Sequence, residues 1–256
     1  MIRVVMFGIG AVAGVVSSLC LFLIHHFANL LALAIVLVAW VGILFSIYHV
    51  IEKRIDADRR QFFLILATVF GFLGFTSLVE ALWLRYFLIV LSGVCIGLLF
   101  VLLLYHRIAP VPVQKSIRRI GMMVWVFDAY ALTTTVFAFH LFFQSFPFWA
   151  LSFLNGIILA VIGSMIWRLY VEGTIRTFLF WIGFVAVLMT EITFAIQIFP
   201  LGYLALGLFT TWIWYIVQLF IRFHIHYQGV VWHKQRWFLI VNVLLFAAGM
   251  FFVRWI

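Results

Sequence analysis

Residues 83–119 read WLRYFLIVLSGVCIGLLFVLLLYH, then RIAPVPVQKSIRR, and the break between the two parts decides the fold. The first part is apolar on every face, with Arg85 near its start as its only charged group. About twenty such residues in a helix cross the roughly 30 Å of bilayer hydrocarbon. The second part carries Arg107, Lys115, Arg118 and Arg119. A charged centre is costly in hydrocarbon, so a basic connector marks where the chain leaves it.

The same alternation runs along the whole chain. Apolar runs at 4–24, 30–50, 62–80, 83–106, 120–143, 148–170, 177–199, 203–223 and 237–254 are candidate spans. They predict an all-α fold, a polytopic transmembrane helical bundle of about nine spans. A membrane barrel would need segments of about ten residues alternating apolar and polar, and these runs do not alternate. Composition agrees. Hydrophobic residues make up 68% of the chain and charged residues 9%, and mean hydropathy is +1.29. A soluble domain is about one quarter charged.

Sidedness follows from the basic residues. All sixteen except Arg85 and Arg254 fall on one side of this plan. The positive-inside rule then puts the amino terminus in the cytoplasm and the carboxyl terminus outside, in a cell membrane of prokaryotic inner-membrane type. The net charge of +9 is spread over short connectors, where membrane lipids with anionic headgroups are its partners. No module interleaving aromatic and basic residues points to nucleic acid. The first run follows Arg3 and contains Ala11-Val12-Ala13, a possible cleavage pattern, but it continues apolar to Ile24 and reads as a retained helix.

The connectors 51–61, 107–119, 171–176 and 224–236 are too short for a soluble domain, which needs about forty residues. Residues 1–256 therefore read as a single integral membrane domain. Pro147 and Pro200 mark tight outer turns, while the turn near Glu80 has neither glycine nor proline. No proline falls inside a predicted span, so none of the helices is expected to be broken. Spans 3–4, 5–6 and 7–8 form hairpins of like orientation whose residues do not align as repeats.

Ionisable groups inside membranes are functional candidates by default. Asp128 falls about 12 Å from the inner end of span 5, and Glu191 lies at a similar depth below the outer end of span 7. At that depth a carboxyl must be protonated, hydrogen-bonded or paired. Glu191 shares the predicted outer half with Glu80, Arg85, His140, Asn155 and Gln197, a candidate outer polar pocket. The competing reading pairs Glu80 with Arg85 across the hairpin and bonds Asn155 and His140 to nearby carbonyls. Asp128, Ser164, Gln218 and Asn242 form a candidate inner polar group. Thr133, Thr134 and Thr135 continue span 5 outward, although mid-span threonines usually bond their own preceding turn.

Gly10-x-x-x-Gly14 and Gly93-x-x-x-Gly97 are helix-packing motifs. They read first as contacts within the bundle, and alternatively as a face for another membrane protein or a second copy. Trp83, Trp149, Trp167, Trp212, Trp232, Trp237 and Trp255 fall near span ends and read as interfacial anchors. Haem is disfavoured, because only His140 lies well within a span and axial ligation needs facing histidines. Retinal is disfavoured because Lys53, Lys115 and Lys234 all sit in connectors. Cys20 and Cys95 read as small apolar residues, and no metal motif is present.

Three functions compete. A non-enzymatic membrane subunit, scaffold or sensor acting through partners fits the lack of domains and the unbroken helices. A small proton- or cation-coupled transporter or channel would use Glu191 and Asp128. An intramembrane lipid-modifying enzyme would need acids, histidines or a metal gathered at one depth, and no catalytic set is evident.

Overall fold

A computed structural model describes residues 2–27, 29–55, 60–106, 110–171, 175–225 and 232–252. Among these residues all regular structure is helical: α1 (Ile2–His26), α2 (Leu30–Ile55), α3 (Arg60–Ser77), α4 (Leu82–His106), α5 (Val111–Phe142), α6 (Phe148–Tyr170), α7 (Ile175–Ile196), α8 (Tyr203–Ile225) and α9 (Trp232–Phe252). Arg59, Arg107, Arg254, His226 and Trp255, on which parts of the sequence reading rest, lie outside the described residues.

Among the described residues, seven helices are long and apolar enough to cross a membrane, against the nine or so spans expected from sequence. The other two carry shorter apolar stretches, Gln61–Ser77 and Leu239–Gly249. The first ends early because the backbone tightens there: Leu78 N–H bonds Phe75 O and Val79 N–H bonds Thr76 O. Arg85 then closes this turn. Its Nε and Nη2 donate to Val79 O at 3.0 and 2.7 Å, which supplies what a glycine or proline would otherwise provide. In α9 the first turns hold His233, Lys234 and Arg236, which shortens the apolar part.

α5 begins earlier than its predicted span. Its 32 residues take in Pro112, expected in a connector. Proline is tolerated in a first helical turn, where its missing N–H would have no partner. The turn is closed instead by Val113 and Gln114, whose N–H groups bond Pro110 O.

The chain divides into two compact units, Met1–Asp128 and Ala129–Ile256, with the boundary inside α5. In the first unit α1 packs most closely on α4. The reason is the two glycine motifs, which face each other. A Cβ on Gly14 would lie 2.6 Å from Gly93 O, and one on Gly97 would lie 2.7 Å from Gly10 O. Only bare Cα positions let the backbones approach so far. Trp40, Leu44, Ile65, Phe72, Ile96 and Phe100 fill the core beside this crossing.

In the second unit α6 packs most closely on α7. Gly156 has the same role there, because its Cβ would collide with Thr190 Oγ1 and Ala186 O. Val136, Phe137, Phe148, Leu206 and Phe209 form one core cluster of this unit. The outward faces are apolar as well: Trp83 is 74% exposed and Val38 72%, as suits a lipid solvent.

Gly14→Ala and Gly42→Ala are expected to differ in sign. The first forces a methyl against Gly93 O and should cost about 1–3 kcal/mol by overpacking. The second meets nothing within 4 Å and should be neutral or stabilising. Thermal melting in one detergent checks this, and equal melting temperatures would contradict the crossing.

Candidate functional site

Within lipid an unpaired polar group costs several kcal/mol, so each buried polar side chain poses a question of partnership. In the first unit Asp128 is fully buried midway along the apolar stretch Val113–Phe142. Thr68 Oγ1 donates to its Oδ2 at 2.9 Å. The same hydroxyl lies 2.9 Å from Leu64 O, and its one proton serves one acceptor at a time. Asp128 Oδ1 has no hydrogen-bond partner among the described residues. The sequence offered no sign of Thr68, which stands sixty positions away on α3.

Other polar groups of this unit staple helices together. Ser17 Oγ donates to Ala13 O and accepts from Trp40 Nε1 at 3.1 Å, tying α2 to α1. Ser18 Oγ donates to Ile89 O, tying α1 to α4. His25 Nε2 lies 3.0 Å from Thr76 Oγ1, linking the ends of α1 and α3. Glu80 is exposed and Arg85 is committed to the Val79 carbonyl; the ion pair found among the described residues is His49–Glu52, at 3.5 Å.

The second unit holds the most developed polar network. Thr133 Oγ1 donates to Asn155 Oδ1 at 3.0 Å, Asn155 Nδ2 donates to Thr193 Oγ1 at 3.0 Å, and Thr193 Oγ1 donates to Met189 O. All three side chains are fully buried, so one residue from each of α5, α6 and α7 is locked at a single level. Thr135, by contrast, bonds Ala131 O in its own helix.

The outer residues that lie in this unit have different surroundings. His140 and Gln197 approach each other, with 3.4 Å between His140 Nε2 and Gln197 Nε2, and the His140 ring lies against Phe148. Asn155 belongs to the threonine network. Glu191 is exposed, although it stands only two residues from buried Thr193. Two helical residues so spaced point about 200° apart.

The inner residues of this unit also have separate surroundings. Ser164 Oγ donates to Val161 O. Asn242 Oδ1 accepts from Trp212 Nε1 at 2.9 Å. Gln218 is fully buried, and neither amide atom has a partner among the described residues. Its backbone carbonyl accepts from Trp167 Nε1 at 3.0 Å. Trp167 is thus a fully buried core residue rather than an interfacial anchor. Trp214 acts in the same way through Leu159 O.

Among the described residues no group of three or more His, Cys, Asp or Glu side chains is placed to hold a metal. Cys20 and Cys95 are free thiols. No family model, curated protein or solved structure matches the chain.

Asn155→Ala should destabilise the protein by about 1–2 kcal/mol, the value of side-chain hydrogen bonds between membrane helices. Gln197→Ala, at a long and half-buried contact, should cost less. A double-mutant cycle of Thr133 and Asn155 in thermal melting should show coupling between them. Strictly additive effects would mean that the observed bond contributes nothing.

Proposed function

We propose that this chain is a multi-pass integral membrane subunit, scaffold or sensor that acts through partner proteins rather than by chemistry of its own. In this reading it spans the membrane about nine times, with its basic connectors and amino terminus in the cytoplasm and its carboxyl terminus outside. The observation that carries it is how the buried polar groups are used. Trp40, Ser17, Ser18, Thr133, Asn155, Thr193, Trp167 and Trp214 all hold one helix to itself or to another. Such bonds specify which helices are neighbours. A groove of about 720 Å³ along α1 and α4 is apolar, lined by residues such as Phe7, Val15, Leu19 and Val94, and suits lipid acyl chains.

A second reading has one observation in its favour. Asp128 is fully buried at mid-span with one carboxylate oxygen free of partners among the described residues. Intramembrane acids of this kind mark proton or cation paths in transporters. The two readings separate in proteoliposomes. The subunit reading expects proton and cation flux no greater than in empty vesicles, and no change with Asp128→Asn. Uptake that Asp128→Asn abolishes would overturn it and establish transport.

A further inference from the structure

The outer face of α7 is built on a seam. Phe180, Phe184, Val187, Glu191 and Phe194 recur along α7 at alternating steps of four and three residues, all exposed, and exposed Ile198 follows in the turn just past the helix end. Their exposure is large, 72% at Phe180, 61% at Val187 and 82% at Ile198. The opposite face of α7, with Phe178, Val185, Met189 and Thr193 buried, is the one packed within this unit. A seam with a 3.5-residue repeat is the pattern by which one helix meets another along its length. Gly183 lies on the exposed side, where a Cβ would meet nothing within 4 Å, so no contact within the chain requires a glycine there.

Lipid alone would satisfy the apolar members of this seam. It does not satisfy Glu191, which lies about 7.5 Å inside the end of α7 at a rise of about 1.5 Å per residue. An acid at such a position is protonated, hydrogen-bonded or paired, and a cation level with it is the partner that keeps its charge. The sequence on either side of it holds no cation: residues 177–221, through most of α7 and α8, contain no Lys or Arg. A second copy inserted the same way would set its own Glu191 against the first, because a two-fold contact pairs each seam residue with itself. Two acids then face each other without a cation.

We infer that the α7 seam docks a transmembrane helix of another protein that carries a lysine or arginine level with Glu191. This inference rests on the subunit reading above and names the chemistry of the partner. Phe180, Phe184 and Val187 supply the shape, and Glu191 fixes register and choice of partner, as a single polar group does in a coiled-coil seam.

The test uses the full-length protein, labelled and reconstituted with a synthetic leucine–alanine transmembrane helix. The helix carries one lysine about 7.5 Å from its outer end, or leucine at the same place. Energy transfer should report roughly tenfold tighter association for the lysine helix, the change expected of one strong polar contact in lipid. Glu191→Leu should erase that preference, and Glu191→Lys should transfer it to a helix bearing glutamate. Because Glu191 is exposed, both variants should melt as the parent does, and the reversed pairing reads out even if one is less stable. Equal association of lysine and leucine helices would overturn the inference. So would transfer between labelled copies that Glu191→Leu removes, since it gives the face to a second copy. Ion flux lost in Glu191→Leu would overturn the subunit reading along with it. Equal association without flux would remove the docking inference alone.

Discussion

Hydrocarbon offers no hydrogen bonds, and every level of this structure answers to that fact. A backbone in lipid must pair its own N–H and C=O groups, which leaves a chain of this composition the helix. The same demand then falls on side chains. Ser, Thr, Asn and Trp groups that would cost little in water must find partners inside: many hydroxyls take the carbonyl one turn back in their own helix, while Asn155 and the Trp40, Trp167 and Trp214 indoles reach neighbouring helices. Apolar attraction does not select neighbours here, because lipid tails are as apolar as leucine.

Two devices do the selecting. In the first unit it is shape: Gly10 and Gly14 meet Gly93 and Gly97, and their carbonyls come as close as bare Cα atoms permit. Short Cα–H···O contacts accompany such crossings. In the second unit it is polarity: Thr133, Asn155 and Thr193 join three helices at one level, and tryptophan indoles reach main-chain carbonyls across the helix pairs. Gly156 shows that the second unit uses close approach as well. The exposed face of α7 has neither device and carries an acid, Glu191.

The helices themselves were legible in the sequence, since hydropathy over twenty residues reports length and class directly. Their ends were less so. Pro112 looked like connector and is the first turn of α5, because a proline at a helix start costs nothing. The turn after α3 lacked the usual residues because Arg85 does their work from the next helix. Facing was the least legible property. Spans that are apolar all round carry no periodic signal for their buried side, so Glu191 and Thr193 could not be told apart. The glycine motifs were visible because their spacing has a mechanical meaning. Thr68 beside Asp128, and Trp167 in the core rather than at the rim, depend on contacts between distant parts of the chain.

A chain threaded through lipid must place successive connections on opposite sides of the bilayer. Single cysteines at Ser116, on the basic start of α5, and at Ser145, in the exposed turn before α6, can be placed in a background lacking Cys20 and Cys95. Intact cells treated with an impermeant maleimide should label position 145 at once and position 116 only after the membrane is opened. Labelling of both positions from the same face, or release of the protein from membranes by alkaline carbonate, would contradict a chain threaded through lipid.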